Sequence, residues 1–266
     1  MKQMFSSIVS NHEVMPGVYL TWLKSPHMAS TAQPGQFVMV RCGEDFVLRR
    51  PLSIHQLDGE DKFALLFTVG GKGTYWLSQR QAGETIDLVG PLGNSYAIQS
   101  HSHNLLLVAG GMGIAPLRFL ADAAANQGIP VTLLYGASSS MQLLPTAKSP
   151  HELLTKGVSP FNINTVKVTD DGSEGFRGLA TDLIVNHIDW ADQLFACGPL
   201  PMYKTMAQMT ELKDKPVQIS LEVRMACGLG VCYGCTVKTN NGLKQVCRDG
   251  PVFKLDDIVW DEVAKI

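Results

Sequence analysis

The sequence predicts a multidomain β plus α/β protein: an antiparallel barrel, then a parallel sheet with helices on both faces, then a small unit organised by cysteines. Three observations predict it. Short apolar runs broken by Gly and Pro fill the first hundred residues, strand and helix patterns alternate over the next stretch, and four of the six Cys crowd towards the C-terminus. The division falls at 1–100, 101–216 and 217–266.

The bulk composition fits this. A chain of 266 residues suits two domains and a small third. Hydrophobic residues make up 45% and charged residues 17%, enough apolar material for real cores. The 22 basic residues nearly balance the 24 acidic ones, giving a net charge of −2. No basic stripe appears, so a nucleic-acid role has no electrostatic support. No apolar run approaches the roughly 20 residues of a membrane span. Residues 1–10 lack the basic region and apolar core of a signal peptide. The chain therefore reads as cytoplasmic, where disulfides are rare and Cys residues are free, metal-binding or reactive.

In the first region, 36–41, 62–69 and 85–89 read as strands, the last ended by Gly90-Pro91, and 74–81 as an inserted helix. Short strands at this spacing suggest a small barrel. Arg49-Arg50-Pro51-Leu52-Ser53 follows a strand there. An Arg can neutralise a cofactor pyrophosphate with paired hydrogen bonds, and a Ser three residues on can bring its hydroxyl near the flavin N5. Alone the pattern is common, and a strand end with a solvated Arg explains it equally well. Gly70-Gly71-Lys72-Gly73-Thr74 adds to it. Backbone amides at a helix start bind phosphate, and Gly permits close approach; a flexible turn with a Thr N-cap is the plainer explanation.

In the second region, 105–109, 131–135, 163–168 and 193–197 read as strands, with 217–221 as a fifth. Helices are expected over 116–127, 179–187 and 201–212. This alternation means a parallel sheet. Gly110-Gly111-Met112-Gly113-Ile114-Ala115-Pro116 follows the first strand, the position of a dinucleotide-binding turn. Pro116 departs from G-x-G-x-x-G but suits a first helical turn. Cys197-Gly198-Pro199 ends the fourth strand at the same sheet edge, where a Cys side chain and a Gly backbone can face a nicotinamide; a buried Cys before a loop is the alternative.

In the last region, Cys227, Cys232, Cys235 and Cys247 stand as C-x4-C-x2-C-x11-C. The first three match plant-type 2Fe–2S ligands. Gly228, Gly230 and Gly234 let the backbone wrap a cluster and aim amides at sulfur. Four thiolates also bind zinc, but zinc sites usually pair C-x2-C with C-x2-C, and the x4 spacing favours iron–sulfur.

Taken in order, R-x-x-S, G-G-x-G-x-x-P and C-G-P resemble the ferredoxin-reductase superfamily. The stretch from Glu222 through Cys235, with Cys247-Arg248-Asp249-Gly250-Pro251-Val252-Phe253, resembles the electron-transfer subunits of dihydroorotate dehydrogenase B. The resemblance implies that Arg50, Pro51, Leu52 and Ser53 contact FAD, that Phe67, Thr68 and Val69 line it, and that Gly73 and Thr74 hold its pyrophosphate. NAD would lie on Gly110, Gly111, Gly113, Cys197, Gly198 and Pro199, with Ser53 and Cys197 as candidate catalytic residues. The four Cys would bind the 2Fe–2S cluster. A chain with all three sites converts two-electron to one-electron transfer. The family adds an FMN-containing catalytic partner that oxidises dihydroorotate in pyrimidine synthesis, in a heterotetramer of two of each. Similar small subunits of NADH-dependent ferredoxin:NADP oxidoreductases carry an Asp in place of one cluster Cys, and phthalate-dioxygenase-type reductases place the last Cys much further on. An NAD(P)H-dependent ferredoxin or oxygenase reductase is the alternative reading. NAD is expected over NADP, because residues 135–141 offer no cation and Lys148 is the next one.

Overall fold

In a computed structural model of the chain, residues 1–44, 46–145 and 163–263 are described. Strands β1 (Lys2–Met15), β2 (Val18–Lys24), β3 (Phe37–Val40), β4 (Arg50–Asp58), β5 (Lys62–Thr68) and β6 (Thr85–Leu92) close a barrel in the order β1-β2-β5-β4-β3-β6. Every pairing in it is antiparallel. Alternation decides which side chains enter: in β6, Ile86, Leu88 and Leu92 are buried while Thr85, Asp87 and Val89 are not. Ile86 and Leu88 meet Leu23, Val38, Val40, Ile54, Phe63 and Leu65 in the barrel core, while Leu92 packs into a core cluster of the sheet. Helices α1 (Pro26–Thr31) and α2 (Lys72–Ser78) are inserted between strands. Ser25 caps the first, its hydroxyl accepting from Met28 N–H at 3.3 Å.

The second unit is a sheet built on β7 (Leu105–Gly110), β8 (Val131–Ala137), β9 (Ile163–Thr169), β10 (Phe176–Arg177), β11 (Gln193–Cys197) and β12 (Val217–Ser220), all parallel to their neighbours. Its central strands are buried on both sides, so they read as continuous apolar runs. In β7, Leu106 and Val108 face one core, while Leu105, Leu107 and Ala109 face the other. Helix α3 (Ile114–Asn126) covers the second face, and α4 (Leu200–Gln208) the first. Where a helix is expected over 179–187, a 3₁₀ helix spans Ala180–Asn186 instead.

The sheet does not end at residue 216. Strand β12 belongs to it, and after the hairpin β13 (Thr236–Thr239) and β14 (Gly242–Gln245) and the short helix α5 (Val246–Asp249), β15 (Val252–Lys254) adds to β12 as an antiparallel edge. A boundary at 217 therefore cuts through a sheet rather than between units. The C-terminal segment departs after β12 and returns to it.

Barrel and sheet are fastened to each other by buried polar and aromatic contacts. His55 Nδ1 lies 2.9 Å from the Ala115 carbonyl of α3, and Gln56 donates to Asp122 at 2.9 Å. Tyr96 stands edge-on to Phe195 at 5.4 Å and donates to the Ala196 carbonyl. No helix among the described residues is long and apolar enough to cross a membrane.

Candidate functional site

The two adjacent arginines have separate roles. Arg49 is spent on the barrel: its guanidinium donates to Asp87 Oδ2 at 2.6 Å and to the Asp87 carbonyl at 3.1 Å. Burial pushes the Asp87 carboxyl up, but its bonds to Arg49 and Gln3 outweigh this and hold it below the usual carboxylate range. Arg50 opens β4 and lies against α2, where a Cβ on Gly73 would come within 2.8 Å of its Nε. A Cβ there would have to displace the Arg50 guanidinium from its place against the helix start. The helix starts two residues earlier than expected, so Thr74 does not cap it; its hydroxyl accepts from Gly70 N–H at 3.0 Å and steadies the loop. The two halves of the predicted phosphate site, Arg50 and the Gly73 helix start, are thus in contact.

A cavity of about 360 Å³ opens beside them. Pro51, Leu52 and Ser53 of β4 and Phe67 and Thr68 of β5 form one wall; Met112 and Ala115 form another; Glu222, Val223 and Met225 close it. Val69 does not reach it and packs with the barrel core. A flat, mostly apolar wall with a hydroxyl, beside a cationic phosphate cradle, fits a flavin.

A second cavity, about 460 Å³, runs along the C-terminal ends of the parallel strands. Gly110, Gly111 and Gly113 line it with Gly198 and Pro199. A Cβ on Gly113 would sit 1.8 Å from the Cys197 carbonyl oxygen, so this turn packs backbone on backbone. Cys197 itself lines neither cavity. Its thiol is fully buried, 3.7 Å from the Ser220 carbonyl and 4.0 Å from Glu222 Oε1, and burial raises its pKa well above the ordinary thiol value.

Met112 and Glu222 line both cavities. Neither stood out in the sequence; the available signal was that Glu222 comes straight after the last parallel strand, at the sheet edge where such sites form. Glu222 is open to the cavities yet closely walled by protein, and this desolvation holds its carboxyl above the usual range.

From the flavin-sized cavity the chain runs directly to the cysteines. Gly228 and Gly230 take φ of +69° and +75°, and Tyr233 joins them in the left-handed region at +60°. This curls the loop around its sulfurs. Leu229 N–H donates to Cys227 Sγ at 3.3 Å, Gly230 N–H to Cys247 Sγ at 3.1 Å, and Cys247 N–H to Cys235 Sγ at 3.4 Å. Burial raises the Cys227 pKa, but the amides of Leu229, Cys232 and Val231 outweigh it and bring the thiol to about 6. Cys247 is pushed up to about 12 by burial and by its bond to Cys235. The sulfurs influence one another in two pairs, Cys227 with Cys232 and Cys235 with Cys247. Two irons take four thiolates two and two. Four thiolates can also serve a single zinc ion; the C-x4-C-x2-C spacing is what favours the cluster. Cys42 lies apart, buried in the barrel core.

Comparison with known proteins agrees with this geometry. Residues 222–259 match the model described as the iron–sulfur cluster binding domain of dihydroorotate dehydrogenase B, and residues 107–208 match the oxidoreductase NAD-binding domain. The electron transfer subunit of dihydroorotate dehydrogenase B from Desulforamulus reducens is 37% identical over 265 residues, covering 96% of this chain and 98% of that protein. This chain belongs to that family. The subunit from Geobacillus sp. is also 37% identical, over 97% and 99% of the two chains. Among solved structures, that of an NADH-dependent reduced ferredoxin-NADP oxidoreductase superposes with a TM-score of 0.84 at 32% identity, over 98% of this chain and 91% of the other. A ferredoxin reductase of carbazole 1,9a-dioxygenase, at 16% identity and a TM-score of 0.67, shares the fold.

Proposed function

We propose that this chain is the electron conduit of an NAD-linked dihydroorotate dehydrogenase. It takes electrons from an FMN-bearing catalytic subunit at its 2Fe–2S end and delivers them to NAD through FAD, in pyrimidine (UMP) synthesis. The observation that carries this is the order of the three sites. The nicotinamide-sized and flavin-sized cavities share Met112 and Glu222, and the segment from Ser220 to Met225 that closes the flavin-sized cavity leads directly to Cys227. Bound FAD exchanges electrons in pairs with a nicotinamide and singly with an iron–sulfur cluster. The chain's own residues set the geometry: Arg50 and the α2 start support FAD binding, Ser53 stands in the flavin cavity wall, and Gly113 brings the NAD turn onto Gly198.

Dihydroorotate chemistry belongs to the partner. It requires a base at carbon and a second flavin, and both dinucleotide sites here are assigned. A heterotetramer of two of each chain is part of the same proposal, as is residence in the cytoplasm. NAD preference is also part of it; Lys148, the first cation after β8, lies outside the described residues.

The test is purification of the native complex under anaerobic conditions and identification of what accompanies the chain. An FMN protein that oxidises dihydroorotate is expected. A ferredoxin or oxygenase component instead would favour the second reading, a reductase subunit, to which the likeness at 32% identity to the ferredoxin-NADP oxidoreductase gives some weight.

A further inference from the structure

The parallel ladder between β11 and β12 is interrupted where the two cavities meet. Its register pairs Leu194 with Val217 and Ala196 with Ile219. Rungs of a parallel ladder from one strand recur at every second residue, and this series begins with Leu194 N–H donating to the Pro216 carbonyl at 3.0 Å. Continued past the last pair, the series would join Gly198 N–H to the Ser220 carbonyl. A direct rung there would bring nitrogen and oxygen to about 2.9 Å.

The hydroxyl of Tyr203 occupies that rung instead. Gly198 N–H donates to it at 2.9 Å, and it donates to the Ser220 carbonyl at 2.6 Å. Two bonds in series replace one, and the strand ends stand apart with an oxygen between them. Tyr203 comes from the first turn of α4, and its ring packs on Trp260 with 5.7 Å between centroids. The side chain is buried, and this raises its pKa well above the ordinary phenol value, so the hydroxyl keeps the proton it donates. The two groups it separates belong to different cavities. Gly198 lines the nicotinamide-sized one, and Ser220 lines the flavin-sized one with Leu221 and Glu222.

We propose that Tyr203 is a positioning residue for the exchange between nicotinamide and flavin, its hydroxyl wedging open the ends of β11 and β12 where one cavity passes into the other. Without that oxygen the Gly198 amide and the Ser220 carbonyl either bond directly or stay buried and unpaired. Either outcome shifts one cavity wall against the other. Transfer between two bound groups is steeply sensitive to such shifts, a misplacement of about 1 Å costing on the order of 100-fold. The inference rests on reading the two cavities as the NAD and flavin sites.

Tyr203→Phe in the flavin- and cluster-loaded protein tests it, because it keeps the ring against Trp260 and removes only the oxygen. Flavin reduction by NADH is followed in a single turnover, NAD binding by titration, and the contact of nicotinamide with flavin by its long-wavelength charge-transfer absorption. Trp260→Phe, which alters the packing of the ring but keeps the hydroxyl, is the control for a merely structural effect. In Tyr203→Phe, flavin reduction should slow about 10- to 100-fold. The charge-transfer band should weaken, NAD affinity should change far less than the rate, and dithionite should reduce flavin and cluster as before. Trp260→Phe should keep both rate and band. An unchanged rate and band in Tyr203→Phe, or an equal loss in the two variants, overturns the role of Tyr203 alone. If the unaltered protein shows neither NADH-driven flavin reduction nor the band, the cavity reading fails and the proposal with it.

Discussion

At the scale of single residues, Arg49 and Arg50 show what a sequence can and cannot separate. The pattern R-R-P-L-S gives two candidates for one pyrophosphate, and only the register of β4 assigns Arg49 to Asp87 and Arg50 to the Gly73 helix start. Arg50→Ala should weaken FAD binding about 10- to 150-fold, since hydrogen bonds to charged groups contribute roughly 1.5–3 kcal/mol; flavin fluorescence titration checks this. Arg49→Ala should instead lower the melting temperature with little effect on flavin affinity once folded. Because the Asp87 carboxyl is held below its ordinary value, its contribution is complete above the unfolded carboxylate range and is lost as pH falls through the folded pKa. The stability difference between Arg49→Ala and the unaltered protein should therefore narrow on acidification. Cys197 carried the opposite lesson. Its C-G-P motif sets the backbone of Gly198 along the second cavity, but the direction of a side chain at a strand end depends on the pleat, and the Cys197 thiol is buried away from it.

At the scale of elements, the periodicities were legible because burial is strict. The two-faced runs of β7 and β11 and the alternation of β6 stand openly in the sequence. The edge strand β15 was not, because three residues carry too little pattern and its partner β12 lies far back along the chain. Gly113 illustrates an element contact that admits no side chain. Gly113→Ala would force a Cβ into the Cys197 carbonyl, separating the α3 turn from β11. NADH-driven dye reduction should fall by at least tenfold, while dithionite still reduces flavin and cluster. The β4–α3 contact makes a pH prediction. Burial, first of all, brings the His55 pKa from 6.5 down to about 3, so the ring stays neutral against Ala115. The unfolded chain takes up the proton first, so this contribution is intact above pH 6.5 and erodes as pH falls towards 3. His55→Gln should flatten the loss of stability between these limits, measured by urea unfolding at stepped pH.

At the scale of the whole molecule, the cysteine spacing favoured a 2Fe–2S cluster over zinc, because three ligands stand as C-x4-C-x2-C on one tight loop. The meeting of the two cavities at Met112 and Glu222 was invisible, since it is made by three separated segments. The purified chain should carry about two irons and two acid-labile sulfides, and Cys247→Ser should lose them while retaining FAD; zinc without sulfide would contradict the cluster assignment. The central claim is that electrons cross this chain between a partner subunit and NAD. Its most direct test is dihydroorotate-dependent NADH formation with the purified chain, the FMN-bearing catalytic subunit, and both together. The account predicts NADH only from the mixture, lost when Cys247 is replaced although the partner still reduces dyes. Orotate formed by this chain alone would contradict it, and so would a mixture of fully loaded, active components that yields no NADH.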